Sequence, residues 1–151
     1  METIKIQSDI SQMRVVEDFV SNVCDERNVH NYFATIDTSV LQAVENAILH
    51  GNGGDGSKCV IVSCGSCKGG LFFSVQDEGC GFDWRQYGEM PLEGSRGLGL
   101  FMMRALSDKM EFSSNGSCVR LEFYVSGIDK AISSKRAACL QNFFSCSKVG
   151  V

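Results

Sequence analysis

The chain has 151 residues, of which 44% are hydrophobic and 21% charged, and this length and composition suit one domain with a buried core. Its formal net charge of −4 argues against a protein that binds nucleic acid non-specifically, because such a protein presents a basic face. No apolar run approaches the roughly 18 residues that a membrane span needs, and the first residues lack the basic and apolar regions of a secretory signal. We therefore expect a cytoplasmic protein.

The first third of the chain predicts a short strand followed by two helices. Alternating apolar and polar residues at 3–7 predict the strand, and apolar residues at helical spacing over 10–27 predict the first helix. Asp37 or Thr38 is a suitable N-cap for a second helix, which is expected to run to about His50.

A glycine-rich stretch at residues 52–56 predicts a flexible connection between the second helix and a pair of strands. The two strands are predicted at residues 58–64 and 71–76, where β-branched and aromatic residues are frequent. Residues 65–66 and 69–70 contain three glycines and predict the turn that joins these strands.

A long irregular segment at residues 78–96 separates this pair from the last three predicted elements. Loops longer than about 12–15 residues are usually functional or disordered. After it, residues 98–107 predict a third helix, and residues 110–114 and 118–125 predict a hairpin that turns at Asn115-Gly116.

The order βααββ, a long loop and then αββ predicts an α+β fold. Antiparallel hairpins leave a sheet face that must be covered, so we expect a two-layer α/β sandwich. Its sheet would be mixed and mostly antiparallel, with three helices on one face. This domain would occupy residues 1–126, whereas residues 127–151 are expected to form an appendage with one helix at about 130–144.

Polar and glycine residues suited to a nucleotide pocket occur in three separate segments. Gln42, Asn46 and His50 are spaced by four residues and are expected to share one face of the second helix, where an asparagine side chain can ligate a metal. Asp77 ends an apolar strand and precedes Gly79 and Gly81. Its carboxylate can accept a hydrogen bond from a base edge, while the glycines let the backbone approach a flat ligand.

The third segment, Gly97-Leu98-Gly99-Leu100, opens the third predicted helix. Amides at a helix start attract phosphate through unsatisfied N–H groups and the helix dipole. Taken singly, the three segments also fit a solvated helix face, a tight turn and a helix entry. Their combination in this order indicates a nucleotide pocket.

The eight cysteines include one Cys-x-x-Cys motif, Cys64-Gly65-Ser66-Cys67. A structural zinc site needs four ligands, and the sequence has no second Cys-x-x-Cys motif or histidine pair. A thioredoxin-like redox pair begins a helix, whereas this motif is predicted in a hairpin turn. We therefore expect reduced thiols without a metal or redox role.

The segments at residues 45–51, 77–81 and 97–100 resemble, in order and separation, the N, G1 and G2 boxes of the GHKL ATPase superfamily, which includes gyrase and histidine kinases. The short chain and its Asn-Ala-x-x-His-Gly run resemble the anti-sigma factor serine kinases of bacteria. The similarity covers roughly residues 3–125. It implies a Bergerat fold that binds ATP between its helices, with a mobile lid at about residues 82–96.

The resemblance also implies roles for individual residues. Asn46 would hold Mg2+, and Asp77 would accept a hydrogen bond from the adenine amine. The remaining ATP contacts would come from His50, Gly79, Gly81, Gly97, Leu98, Gly99 and Ser117.

Gln42 departs from the family pattern. Family kinases carry a glutamate four residues before the asparagine, where it orients or deprotonates the attacking hydroxyl. Glu45 is adjacent to Asn46 but lies about 100° around the helix, so it is a poor substitute. The resemblance therefore implies nucleotide binding, while serine/threonine kinase activity depends on whether Gln42 can serve as the catalytic residue.

The leading hypothesis is an ATP- and Mg2+-binding anti-sigma-type regulator of transcription. It would sequester a sigma factor and phosphorylate a serine of an antagonist, the anti-anti-sigma protein, without binding nucleic acid or membrane directly; the resemblance also suggests a homodimer. Two alternatives remain, an ATP-dependent protein-binding switch without kinase activity and a detached histidine-kinase-like ATPase domain. The absence of a phosphoacceptor histidine context disfavours the last one.

Overall fold

Five strands form one sheet in which every neighbouring pair is antiparallel. The structure is a computed structural model that describes residues 1–86, 95–125 and 138–141. The strands are β1 (Glu2–Gln7), β2 (Cys59–Cys67), β3 (Gly70–Gln76), β4 (Lys109–Ser113) and β5 (Cys118–Tyr124). They are arranged as β1-β2-β3-β5-β4, with β3 in the centre. The predicted α+β fold is confirmed, and the sheet of the described residues is antiparallel rather than mixed.

Three α-helices pack against this sheet, and they are α1 (Met13–Glu26), α2 (Phe33–Asn46) and α3 (Ser95–Leu106). A 3-10 turn precedes each of the first two helices. Asp9 caps the first of these turns, because its side chain accepts a hydrogen bond from the Ser11 backbone N–H at 2.9 Å. Among the described residues up to 125, the order of the three predicted helices agrees with the structure.

The hydrophobic core lies between the helices and the sheet. Val16 and Val20, one turn apart on α1, are fully buried, as their helical spacing predicts. Phe73 at the centre of β3 packs edge-on against Phe19 of α1 and Phe123 of β5, with ring centroids 6.1 and 6.5 Å apart. Helix α1 contacts β1, α2 contacts β3 and β5, and α3 packs beside α2 and contacts β4.

The predicted N-cap of the second helix is wrong. Helix α2 begins at Phe33, so Asp37 and Thr38 lie inside it rather than at its start. Asp37 is only 9% exposed, and its Oδ1 atom has no hydrogen-bond partner among the described residues. Burial, with a smaller contribution from the negative charge of Glu17, raises the pKa of Asp37 to about 6. Aspartate favours caps in general, but tertiary packing has placed this one within a helix.

The predicted turn at residues 65–70 is four residues too long, because β2 ends at Cys67 and β3 begins at Gly70. Gly65 and Ser66 belong to β2, which continues to Cys67, so the reversal takes place at Lys68-Gly69. Gly65 is suited to the strand because the Phe72 ring of β3 lies over it, and a Cβ atom at position 65 would stand 2.7 Å from that ring.

The Cys-x-x-Cys motif therefore lies in a strand and not in a hairpin turn. Cys64 is fully buried on the helix side of the sheet, and burial raises the pKa of its thiol to about 12. Burial also raises the pKa of Cys67. Reactive thiols have a lowered pKa, so this environment opposes thiolate chemistry at both positions.

Several predictions fall on parts of the chain that the structure describes only partly. Within the expected appendage, residues 138–141 are helical, and Leu140 is 7% exposed in a groove that Thr35 of α2 and Met102 of α3 also line. The other residues of the predicted helix at 130–144 and most of the predicted lid lie outside the described residues. In the described part, no helix has both the length and the apolar composition to span a membrane.

Candidate nucleotide site

A cavity that is partly open to solvent lies where α2 and α3 meet the ends of β3 and β5. Four of the predicted site residues line it: Asn46 from α2, Asp77 and Gly81 from the loop after β3, and Ser117 from the turn before β5. These residues are far apart in the chain, and the fold brings them to one place.

The apolar walls of this cavity were not predicted from the sequence. They are formed by Ala43, Ala47, Val75, Phe82, Leu100, Met103, Phe112 and Val119. The Phe82 ring meets the Phe112 ring of β4 edge-on, with ring centroids 5.4 Å apart. Trp84 stacks on this Phe112 ring, with centroids 5.3 Å apart. Most of these positions read as ordinary core residues, although Ala43 and Ala47 flank Asn46 on its helix and small residues there leave room for a ligand.

Helix α2 changes its geometry immediately after Asn46. Residues Ala47–Gly51 form a π-helical turn, closed by a hydrogen bond of 2.8 Å from the Asn52 N–H to the Ala47 carbonyl. A π turn holds one more residue than an α turn, so the predicted stripe of polar residues stops at Asn46. His50 is exposed and lies outside the described lining of the cavity. Single π turns occur frequently at functional sites.

The carboxylate of Asp77 is held in place by the backbone around it. Its Oδ1 atom accepts a hydrogen bond from the Gly79 N–H at 2.8 Å, and its own N–H donates to the Ser117 carbonyl at 2.9 Å. Its other carboxylate oxygen lies against the Cα atom of Gly51, where any side chain would overlap it. Position 51 must therefore be glycine for the carboxylate to keep this place.

The glycines near Asp77 also allow three loops to approach one another. A Cβ atom at Gly79 would overlap the Gly51 carbonyl, and one at Gly81 would overlap the Asn115 carbonyl. Gly81 has φ of +84°, a conformation that favours glycine. Gly81 lines the cavity. Gly79 instead allows its loop to pack against Gly51, a contact that the turn sequence did not predict.

Asn46 and Gly99 form a close pair across α2 and α3. Asn46 Nδ2 is buried without a hydrogen-bond partner among the described residues, and a Cβ atom at Gly99 would stand 2.9 Å from it. Because α3 begins at Ser95, Gly97 falls in its first turn, where N–H groups have no partner within the helix. Gly97 is buried and Leu98 half-buried, and neither appears in the described lining of the cavity.

Ser117 lines the cavity from the turn before β5. It is 8% exposed, and its hydroxyl donates a hydrogen bond of 2.8 Å to the Ser114 carbonyl. Gln42 and Glu45 are half-buried on α2 and stand outside the described lining. Among the residues that the structure describes, no three His, Cys, Asp or Glu side chains form a cluster that would hold a metal.

The chain matches the family model of the histidine kinase-like ATPase domain over residues 6–123, which include all the segments that line the cavity. It is also similar to proteins named anti-sigma F factor from Clostridium perfringens, in strains SM101, ATCC 13124 and 13. Each is 34% identical over 85 residues, a match that covers 52% of this chain and 61% of the relative. The chain thus spans about three fifths of the length of these relatives. The resemblance to the GHKL superfamily is confirmed, and the chain belongs to the family of histidine kinase-like ATPase domains.

Proposed function

We propose that the chain is an ATP-binding regulatory protein of the anti-sigma type. The observation that supports this most directly is the meeting of Asn46, Asp77, Gly81 and Ser117 in one apolar cavity. The family supports nucleotide binding, and the relatives named anti-sigma F factor support a sigma factor as the partner.

The base of the nucleotide would occupy the apolar part of the cavity. Residues such as Val75, Leu100 and Phe112 would pack against its faces, while Asp77 would accept a hydrogen bond from its exocyclic amine. The Oδ1 atom already accepts from the Gly79 N–H, and a carboxylate oxygen can accept more than one hydrogen bond, so the same carboxylate would serve the base. A charged acceptor that is oriented beforehand favours adenine over bases that lack this amine.

The residues present also fit Mg2+ bound together with nucleotide phosphates. Asn46 provides an amide that is buried next to the cavity, with a nitrogen that has no partner among the described residues. The oxygen and nitrogen of such an amide can exchange places, so Asn46 can present its oxygen. Mg2+ in phosphate sites usually needs only one or two protein ligands besides phosphates and water, and it would neutralise phosphate charge.

The reaction of the bound nucleotide depends on Gln42. In the proposed phosphotransfer, the serine hydroxyl of an antagonist protein would attack the terminal phosphate of ATP, the bond to ADP would break with ADP as the leaving group, and a base must take the hydroxyl proton. A glutamine amide can orient the hydroxyl but cannot accept its proton. We therefore propose nucleotide-dependent partner binding as the main activity and phosphorylation as a slow one. A protein-binding switch without kinase activity is the second candidate, and Gln42 is the observation that favours it.

Two measurements test this proposal. Calorimetric titration with Mg-ATP should show one site per chain, and titration with Mg-GTP should show much weaker binding. Purified sigma factors from the same genome are then mixed with the chain and passed over a sizing column with and without nucleotide. We expect one of them to co-elute in a nucleotide-dependent manner. Absence of ATP binding rejects the site, whereas ATP binding without any sigma complex rejects the anti-sigma assignment alone. The sizing column also tests the suggested homodimer.

A further inference from the structure

Asn52 uses every polar atom of its side chain to join three segments. It follows the π turn directly and is 3% exposed. Its Nδ2 donates hydrogen bonds to the Ser8 hydroxyl at 2.5 Å and the Cys59 carbonyl at 3.0 Å, and its Oδ1 accepts from the Glu78 N–H at 2.7 Å. The predicted flexible connection at residues 52–56 is therefore wrong at its first residue.

The contact with Glu78 is the one that concerns the candidate site. Glu78 follows Asp77, and the three consecutive backbone N–H groups of this turn all have partners. The Asp77 N–H donates to Ser117, the Glu78 N–H to Asn52, and the Gly79 N–H to the Asp77 carboxylate itself. Of these three bonds, the one from Asn52 anchors the turn to the residue that directly follows the π turn after α2.

A second bond reinforces this connection. The Glu78 carboxylate accepts a hydrogen bond from the Cys59 N–H, and the Cys59 carbonyl accepts one from the Asn52 amide. Asn52, Cys59 and Glu78 thus form a closed ring of hydrogen bonds. Asn52 is the buried member of this ring, Cys59 is half-buried and Glu78 is exposed, and removal of the Asn52 side chain takes these partners from the Glu78 N–H and the Cys59 carbonyl.

We infer that Asn52 is a positioning residue that sets base specificity by fixing the Asp77 turn. The inference rests on the proposed function, in which Asp77 accepts from adenine. Asn52 is not expected to touch the nucleotide, because it is buried and absent from the described lining of the cavity. Its effect should appear in the discrimination between bases and not merely in the stability of the fold.

The test compares Mg-ATP with Mg-ITP, whose base carries a carbonyl in place of the exocyclic amine. Hydrogen bonds to charged groups change affinity by about 10- to 100-fold, so the unaltered chain should prefer ATP by at least about tenfold. Asn52→Ala removes the acceptor for the Glu78 N–H and should reduce the preference to about threefold or less. Ser8→Ala removes a different partner of the Asn52 amide and leaves the bond to Glu78 in place. It should therefore lower the melting temperature and keep the preference for ATP.

Asn52→Asp provides the conservative comparison. It keeps an oxygen for the Glu78 N–H but loses the donor to Cys59, so it should lower the melting temperature while it retains more of the ATP preference than Asn52→Ala. If Asn52→Ala keeps the full preference, or if Ser8→Ala and Asn52→Ala reduce it equally, the positioning role is rejected.

Hydrogen exchange in the unaltered chain gives a measurement that needs no variant. The Glu78 amide should exchange slowly without nucleotide, because Asn52 accepts its proton. Fast exchange of this amide in the folded protein contradicts the inference directly. A chain that binds no ATP but protects the Glu78 amide rejects the proposed function and leaves the anchoring by Asn52 in place, so the two failures can be told apart.

Discussion

Gly99 of α3 lies so close to Asn46 of α2 that a Cβ atom at position 99 would stand 2.9 Å from the asparagine nitrogen. The absence of a side chain at position 99 therefore sets the place of the amide that we assign to Mg2+. This pair gives a test in which affinity and stability change in opposite directions.

Gly99→Ala should weaken Mg-ATP binding by about tenfold without destabilising the fold. The new methyl group displaces the end of the Asn46 side chain, while alanine within a helix is favoured over glycine by about 1 kcal/mol. Calorimetric titration and thermal unfolding measure the two effects. Gly56→Ala is the matched control, since no atom lies within 4 Å of a Cβ at that position. Unchanged ATP affinity in Gly99→Ala would show that Asn46 does not take part in binding.

Asp77→Asn should remove most of the stabilisation that adenine nucleotides give. A ligand at about 100 times its dissociation constant adds about 2.7 kcal/mol, which corresponds to a melting shift of about 5–10 °C for this chain length. In the variant the negative charge is lost and one carboxylate oxygen becomes an NH2 group, a donor that cannot pair with the adenine amine. The unaltered chain must show the shift, and a melting curve that millimolar Mg-ATP does not move contradicts the site.

Gln42→Glu should increase the rate of serine phosphorylation and leave ATP affinity nearly unchanged. A general base contributes about 10²–10⁴-fold to a rate, and glutamate can take the proton that glutamine cannot. Single-turnover transfer from labelled ATP to the antagonist protein measures this rate. Glu45→Gln is the control for the nearest other carboxylate. Efficient transfer by the unaltered chain that survives Glu45→Gln and does not improve with Gln42→Glu contradicts our interpretation of position 42.

Asp37→Asn should stabilise the fold at neutral pH and have little effect near pH 3. The folded chain binds the Asp37 proton more tightly than the unfolded chain, because burial raises its pKa from 3.8 to about 6. Ionisation therefore costs stability as the pH rises from about 4 to 6, and the cost is complete above that range. We expect a gain of about 1 kcal/mol at pH 7, since the asparagine amide also needs partners. Urea unfolding at pH 3, 5 and 7 measures the difference, and an equal effect at all three values contradicts it.

The sequence by itself determined the architecture and the three segments of the site. The alternation of residues at 3–7 and the apolar run at 71–76 are local patterns, which are visible without a fold. The order of Asn46, Asp77 and Gly97 is also visible without a fold, and the assignment of these residues to a nucleotide pocket stays a prediction. The family match over residues 6–123 agrees with that interpretation.

Several local sequence signals are overruled in the fold, and only the tertiary structure shows where this happens. Asp37 looks like a cap, yet the helix begins one turn earlier, where Tyr32 and the core can be buried. Gly65 looks like a turn residue, yet the Phe72 ring from the neighbouring strand keeps it in β2. In both places packing against residues that are distant in the chain outweighs the local preference. A short sequence window contains no information about those distant residues.

The tertiary structure also decided the details that give the candidate site its chemistry. The π turn separates His50 from the Asn46 stripe, and Asn52 leaves its glycine-rich context to anchor the Asp77 turn. The π turn is closed by a local hydrogen bond from Asn52 to Ala47, whereas the Asn52 side chain bonds to Ser8 and Glu78, which are distant in the chain and approach it only once the sheet and helices have packed. Local sequence therefore identifies the residue types of the pocket, while non-local bonding sets their positions.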